Sequence, residues 1–203
     1  METKTVRGTA RRAAILEATS RVICERGVEG TRLSDVAEAA DVSIGSIQHH
    51  FQTRDDLLTS TFEWVNDAFL NDWEATGSEA DARRKVHALI RFAAFAQPGS
   101  EPTAWSVWIE FWALAHRNSV FRVQYEHIYS RWRAPFFKAI EEGVGQGVFR
   151  CFPSVQDVVD RLTAEIEGLR VRTLLDPEGM PRERMFSLLI SDAEHALDAR
   201  LSP

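Results

Sequence analysis

The chain has 203 residues, 44% of them hydrophobic, which suits one filled core or two small ones and excludes a disordered protein. No run approaches the roughly 18 apolar residues of a membrane span, and the N-terminus lacks the apolar stretch of a signal peptide, so a cytoplasmic protein is expected. A net charge of −6 argues at first against nucleic acid, yet residues 1–60 are nearly neutral, with eight Lys/Arg against nine Asp/Glu.

Residues 1–8 read as an arm. Lys4, Arg7, Arg11 and Arg12 face only Glu2 over the first twelve positions, a composition that suits local phosphate binding and is equally found in solvated arms. A helix is expected from about Thr9 to Arg26, with Ala14, Ile15, Ala18, Val22 and Ile23 at helical spacing and Gly27 as its left-handed cap. The next helix, 33–40, turns Val36, Ala37 and Ala40 inward, with Thr31 a candidate cap. Asp41 and Val42 turn the chain, and Ser43 stands at the N-cap of a helix over 44–50. That helix turns Ile47 inward with Phe51 and leaves Ser46, Gln48, His49 and His50 outside. Two short helices across a tight turn form a helix-turn-helix pattern, and such a second helix fits the roughly 12 Å wide major groove of DNA. Two ordinary packed helices would leave the same pattern.

A fourth helix begins near Arg54, with Asp55 and Asp56 favourably placed in its first turn. Leu58, Phe62, Val65, Phe69 and Trp73 make its apolar stripe, and about twenty residues span roughly 30 Å. It leaves the head as one rod. Gly77 and Ser78 mark a break before a helix over 79–96, which Pro98 and Gly99 end. Residues 103–118 are the most aromatic stretch, with Trp105, Trp108, Trp112 and His116 on one helical face. A long helix over 119–147 contains Pro135, expected to kink or split it. The last two helices, 154–175 and 181–200, flank the breaker DPEGMP. Gly168 sits inside the first of them at a cost of about 1 kcal/mol relative to Ala, which suggests close approach of another helix. No strand-like alternation or internal repeat is present, so the fold class is all-α with about nine helices. Cys24 and Cys151 are far apart and suggest neither a disulfide nor a metal framework.

From Ala13 to Leu58 the chain resembles the N-terminal domain of TetR-family transcriptional regulators. The residues that carry the likeness are ILEAT and ERG, Thr31, DVAEAADVSIGSI, the His50–Phe51 pair, and Arg54 followed by Leu57. Three positions depart from the family's habit: Gln48 stands where Tyr is usual, Asp41 where Gly is usual, and Arg54 where Lys is usual. The segment from Trp105 to Leu175 is similar to the regulatory domain of BetI-type repressors, through AWSVWIEFWALAHR, YSRWR and IEGLRVRTLL. Together these imply a DNA-binding head over residues 1–53 and a larger helical domain over 54–203 for ligand binding and dimerisation. The implied protein is a homodimeric repressor that leaves a palindromic double-stranded operator when a small-molecule effector binds. No cofactor, metal or membrane partner is implied.

Candidate base readers are Ser46, Gln48 and His49, with Thr31, Arg32, Ser43, His50 and Arg54 toward phosphate and Gly45 allowing close backbone approach. Ile44 is contested between the core, by its helical angle, and DNA, by the resemblance. Trp105, Trp108, Trp112, Tyr129 and Trp132 are the candidate ligand residues, although aromatic residues at helical spacing also serve as core. Glu110 or Glu126 could add a negative charge, and an aromatic box with a carboxylate suits an organic cation. Candidate interface residues are Val158, Leu162, Leu169, Met185, Leu189 and Ala193. Two other classes compete. A small-molecule-binding helical protein that has lost specific DNA binding would explain Gln48. An all-helical enzyme would need His49–His50, His116 or His127, but no ligand or catalytic spacing accompanies them, and adjacent residues on a helix point about 100° apart.

Overall fold

A computed structural model describes residues 2–76, 81–95 and 103–201. The expected breaks at Gly77–Ser78 and Pro98–Gly99 lie outside these residues, as do the side chains of Lys4, Arg7 and Phe69. The described residues hold nine helices and no strand: α1 (Glu2–Gly30), α2 (Leu33–Ala39), α3 (Ile44–His50), α4 (Arg54–Thr76), α5 (Ala82–Phe95), α6 (Thr103–Arg117), α7 (Ser119–Gly145), α8 (Val155–Leu175) and α9 (Arg182–Leu197). The all-α expectation holds.

Four local expectations need correction. The stretch before Thr9 is helical from Glu2 rather than a separate arm, because lengthening a formed helix is far cheaper than nucleating one. Gly27 has the positive φ expected of it, 70°, but its ψ of 168° places it outside the left-handed helical well, and helical turns continue to Gly30. Thr31 does not cap α2. Arg32 occupies the cap position without a side-chain bond, while the Thr31 hydroxyl donates to the Gly27 carbonyl at 2.8 Å. Pro135 does not split α7, which runs unbroken around it. Buried Trp132, Phe136, Ala139 and Ile140 on either side hold that helix together across the missing N–H.

The chain divides into two compact units, Met1–Ala68 with Pro98–Ile128 and Phe69–Gln97 with Tyr129–Pro203. Within the first, Ile15, Leu16, Val22, Val36, Ile47, Phe51 and Leu57 form one apolar cluster. A second joins Ile23 and Val28 of α1 to Phe62 of α4, Val107 and Phe111 of α6, and Phe121 of α7. Half-buried Trp64 packs against both. In the second unit α5 packs on α9 and α9 on α8. Met185, Leu189, Ala193 and Leu197 line the buried side of α9, and Val86, Leu89 and Ile90 that of α5. At 25–30 cal/mol per Å², each of these Val, Leu, Ile and Met side chains contributes about 1.5–3 kcal/mol on leaving water.

The start of α4 is capped in both directions. Thr53 Oγ1 accepts from the Asp56 N–H at 3.0 Å, and Asp56 Oδ2 accepts from the Gln52 N–H at 2.9 Å. The T-x-x-D signature at 53–56 announces this arrangement in sequence.

Candidate DNA-reading head and effector helix

The turn between α2 and α3 is made by backbone alone. The Asp41 N–H donates to the Glu38 carbonyl at 3.2 Å and the Val42 N–H to the Ala37 carbonyl at 3.0 Å, the paired bonds of a Schellman motif. Asp41, at φ 51°, takes the left-handed position, which accounts for glycine being usual there in the resembling family. Ser43 then caps α3, its hydroxyl oxygen accepting from the Ser46 N–H at 3.1 Å. Ile47, 1% exposed, anchors the helix in the head cluster.

The outer face follows from that anchor. Gln48 and His49 are exposed, Ser46 and His50 are half-buried, and Gly45 is exposed with no heavy atom closer than 3.8 Å to a Cβ built on it. Ile44 is 43% exposed, so it belongs to the surface and not to the core with Ile47. Burial, followed by the charges of His49, Arg12 and Arg11, holds His50 below the ordinary imidazole range. The basic pair of α1 is thus placed beside the reading helix. Arg12 is also fixed there, its guanidinium 5.1 Å from the Phe51 ring centroid and donating to Ser60 Oγ at 3.1 Å.

The candidate phosphate group is mixed. Arg32 and Ser43 are exposed. Thr31 is 5% exposed with its hydroxyl turned inward to Gly27. Arg54 Nη2 donates to the Val28 carbonyl and its Nε to the Thr31 carbonyl at 3.4 Å, so these donors brace the α1–α2 connection. Sequence pattern did not reveal that role, because the acceptors are backbone oxygens more than twenty residues away.

The candidate aromatic residues fall in both units. In the first, Trp105 is buried, while Trp108 and Trp112 are half-buried with ring centroids 6.0 Å apart. Trp108 also meets Phe111 at 5.7 Å. In the second, Trp132 is packed among Trp73 and Phe136. Tyr129 lies with its hydroxyl 3.4 Å from Thr163 Oγ1 and the Arg133 guanidinium 5.4 Å from its ring centroid. Trp73, 0% exposed, was expected only as stripe and proves to be the centre of that packing. Glu126 is exposed. Glu110 is half-buried, and its Oε2 accepts from the Val28 N–H at 2.8 Å. A hollow of about 360 Å³ in the second unit is lined by Leu89, Pro135 and Ala139 with Lys85, Arg131 and Lys138, and by none of the candidate aromatics. Among the described residues no group of three His, Cys, Asp or Glu could hold a metal, and no helix is long and apolar enough to cross a membrane.

The six candidate interface residues are redrawn by burial. Val158, Leu162, Met185, Leu189 and Ala193 are each 4% exposed or less within a single chain, and Leu169 is half-buried. Side chains already buried in their own fold have no area left for a partner. The amphipathic pattern identified the apolar faces of α8 and α9, which α5, α8 and α9 cover among themselves in a single chain.

Residues 15–61 match the model of bacterial regulatory proteins of the tetR family, and residues 82–198 match that of the BetI-type transcriptional repressor C-terminal domain. The chain belongs to the tetR family of bacterial regulatory proteins. It is 31% identical to the HTH-type transcriptional regulator BetI of Paraburkholderia xenovorans, over 83% of this chain and 84% of that one. A transcriptional regulator from Saccharomonospora viridis, solved in complex with choline, is 30% identical with a TM-score of 0.82, covering 93% of this chain and 98% of its own. FadR of Bacillus subtilis, in complex with stearoyl-CoA, shares the fold at 18% identity and a TM-score of 0.71, covering 91% of this chain and 96% of its own. This TetR-family chain is accordingly a ligand-responsive, DNA-binding transcriptional regulator of the BetI type, with helix-turn-helix α2–α3.

Proposed function

We propose that this TetR-family chain acts in the cytoplasm as a homodimeric repressor, without catalytic activity. In this reading it binds a palindromic duplex and leaves it when a small organic cation binds beside the α6 indoles. Residues 1–53 read DNA and 54–203 carry effector binding and dimerisation. The observation that carries the reading is α3: it is anchored by Ile47 and capped by Ser43, and it presents exposed Ile44, Gly45, Gln48 and His49. One such helix contacts few base pairs. Two related by a two-fold axis read half-sites about one helical turn apart, or a multiple of that. Choline in the 30%-identical regulator and the aromatic face of α6 support the cation.

Support for a dimer comes from the outward side of α8 and α9. Ala164, Gly168, Leu175 and Leu188 are exposed, and a Cβ placed on Gly168 meets nothing within 4 Å in a single chain. A glycine that nothing among the described residues approaches within 4 Å, kept inside a helix at about 1 kcal/mol, suits a partner helix. A gel shift with DNA upstream of the protein's own gene, with and without choline, tests the function. No shift at all favours the helical ligand-binding protein that has lost DNA recognition. A shift insensitive to choline excludes that effector.

A further inference from the structure

Both peptide groups of Val28 are held by distant side chains. Its N–H donates to Glu110 Oε2 of α6 at 2.8 Å, and its carbonyl accepts from Arg54, the first residue of α4. The Val28 side chain is 2% exposed in the cluster that contains Phe111 of the same α6. The contact has a backbone cause. Gly27 interrupts α1 with φ 70° and ψ 168°, a combination essentially confined to glycine. A buried N–H beside such a break needs an acceptor. The Glu110 carboxylate supplies it, approaching so closely that a Cβ on Gly27 would lie 3.3 Å from its oxygen. A carboxylate–amide bond is stronger than a neutral one. By comparison, the Arg117–Glu29 pair at 3.2 Å joins two exposed side chains and contributes little.

We propose that Glu110 is a positioning residue for DNA binding. Its bond to Val28 sets the angle at which α1 continues into the helix-turn-helix, and Arg54 holds the same residue from the α4 side. Glu110 lies on α6 between Trp108 and Trp112, so an effector that shifts α6 re-aims the carboxylate and loosens Val28. This second step alone rests on the effector site proposed above. Coupling of this kind requires the effector to favour the loosened arrangement over the held one.

The test uses the full chain, a duplex selected by the parent protein from a randomised pool, and choline as the probe ligand. Glu110→Ala is expected to bind the duplex at least ten-fold more weakly at unchanged helicity. Glu110→Gln, whose amide oxygen can accept the same N–H, is expected to recover most of that loss. Amide exchange at Val28 should quicken at least ten-fold in Glu110→Ala while exchange at Ile47 is unchanged, a distinction that general destabilisation would erase. Should Glu110→Ala not fold, Val28 exchange in the parent with and without duplex decides: slower exchange in the complex supports the proposal, and unaltered exchange overturns it. Affinity of Glu110→Ala within two-fold of the parent, or equal loss in both variants, also overturns it. If choline releases the parent from DNA, Glu110→Ala should show a smaller choline effect on DNA than the parent when the two are compared at the same fraction of choline bound. A parent indifferent to choline removes that effector and leaves the positioning role to be decided by the first measurements.

Discussion

The indole rings of Trp73 and Trp132 stack with centroids 4.7 Å apart and planes 29° from parallel. Phe136 meets Trp73 edge-on at 5.1 Å and Phe92 lies at 5.3 Å. With Trp73 at 0% and Trp132 at 6% exposure, this is core packing. Trp132→Ala is expected to destabilise the protein by about 3–5 kcal/mol, the cost of a large cavity. Urea denaturation measures it, and a loss below about 1 kcal/mol would return Trp132 to the ligand residues.

Trp108 is the better probe of effector binding, being half-buried on α6 in contact with the core cluster. If choline releases the parent from DNA, Trp108→Ala should abolish that response while operator affinity stays within two-fold. A variant that still leaves DNA at the parent's choline concentration places Trp108 in the core alone.

Gln48→Ala should weaken operator binding by about 1–3 kcal/mol and relax preference at one base pair. Because Gln48 is exposed, stability should stay within about 0.5 kcal/mol of the parent. Binding across a set of operators with single base-pair changes separates base reading from phosphate contact, since a phosphate contact weakens every sequence alike.

At Asp41, φ 51° fits Asp tolerably and a β-branched residue badly. Asp41→Val should cost about 1–2 kcal/mol in thermal denaturation, and Asp41→Gly should cost nothing or stabilise. An equal loss in both would mean that the Asp41 side chain matters more than its backbone angle.

Gly168→Leu should leave the monomer fold intact, since its Cβ has open space, and shift sedimentation toward monomer. Leu189→Arg should instead unfold the chain, because Leu189 is 0% exposed and an unpaired charge there would be buried. A Gly168→Leu protein that remains a dimer moves the interface away from α8.

Burial pushes the Glu167 carboxyl up to about 7, with the nearby Arg133 charge pulling the other way. Burial, together with the Asp192 carboxyl, likewise raises Glu165 to about 7. Unfolded, both titrate at the ordinary 4.5. Between about pH 4.5 and 7 the folded chain therefore holds protons that the unfolded chain has released, and their contribution to stability falls as pH rises through that window. Denaturation midpoints at pH 5 and pH 8 should show the decline, and Glu167→Gln should reduce it. An unaltered slope in that variant assigns the decline elsewhere.

What could be read from sequence was what neighbouring residues decide. Ser43, Ile47 and the 44–50 helix follow from capping and helical spacing, and the Asp41 turn from the few residues around it. The Glu110–Val28 bond joins positions 82 apart, and no local pattern encodes it. The apolar faces of α8 and α9 were legible too, but periodicity says only that a face is buried. Whether its own chain or a second copy covers it depends on how α5 packs, which spacing cannot specify. The Thr53 cap is local too, written in the T-x-x-D spacing of residues 53–56.

The side chains that build α3 and those that face outward from it are different sets. The turn rests on the Asp41 and Val42 amides and the Ser43 hydroxyl, and the anchor is Ile47. Gln48 and His49 therefore sit on a scaffold that does not depend on them. If these two side chains read bases, as proposed, point mutation there can change which operator is preferred with little penalty to folding. A lineage of such regulators can acquire new target genes far faster than it can alter its architecture.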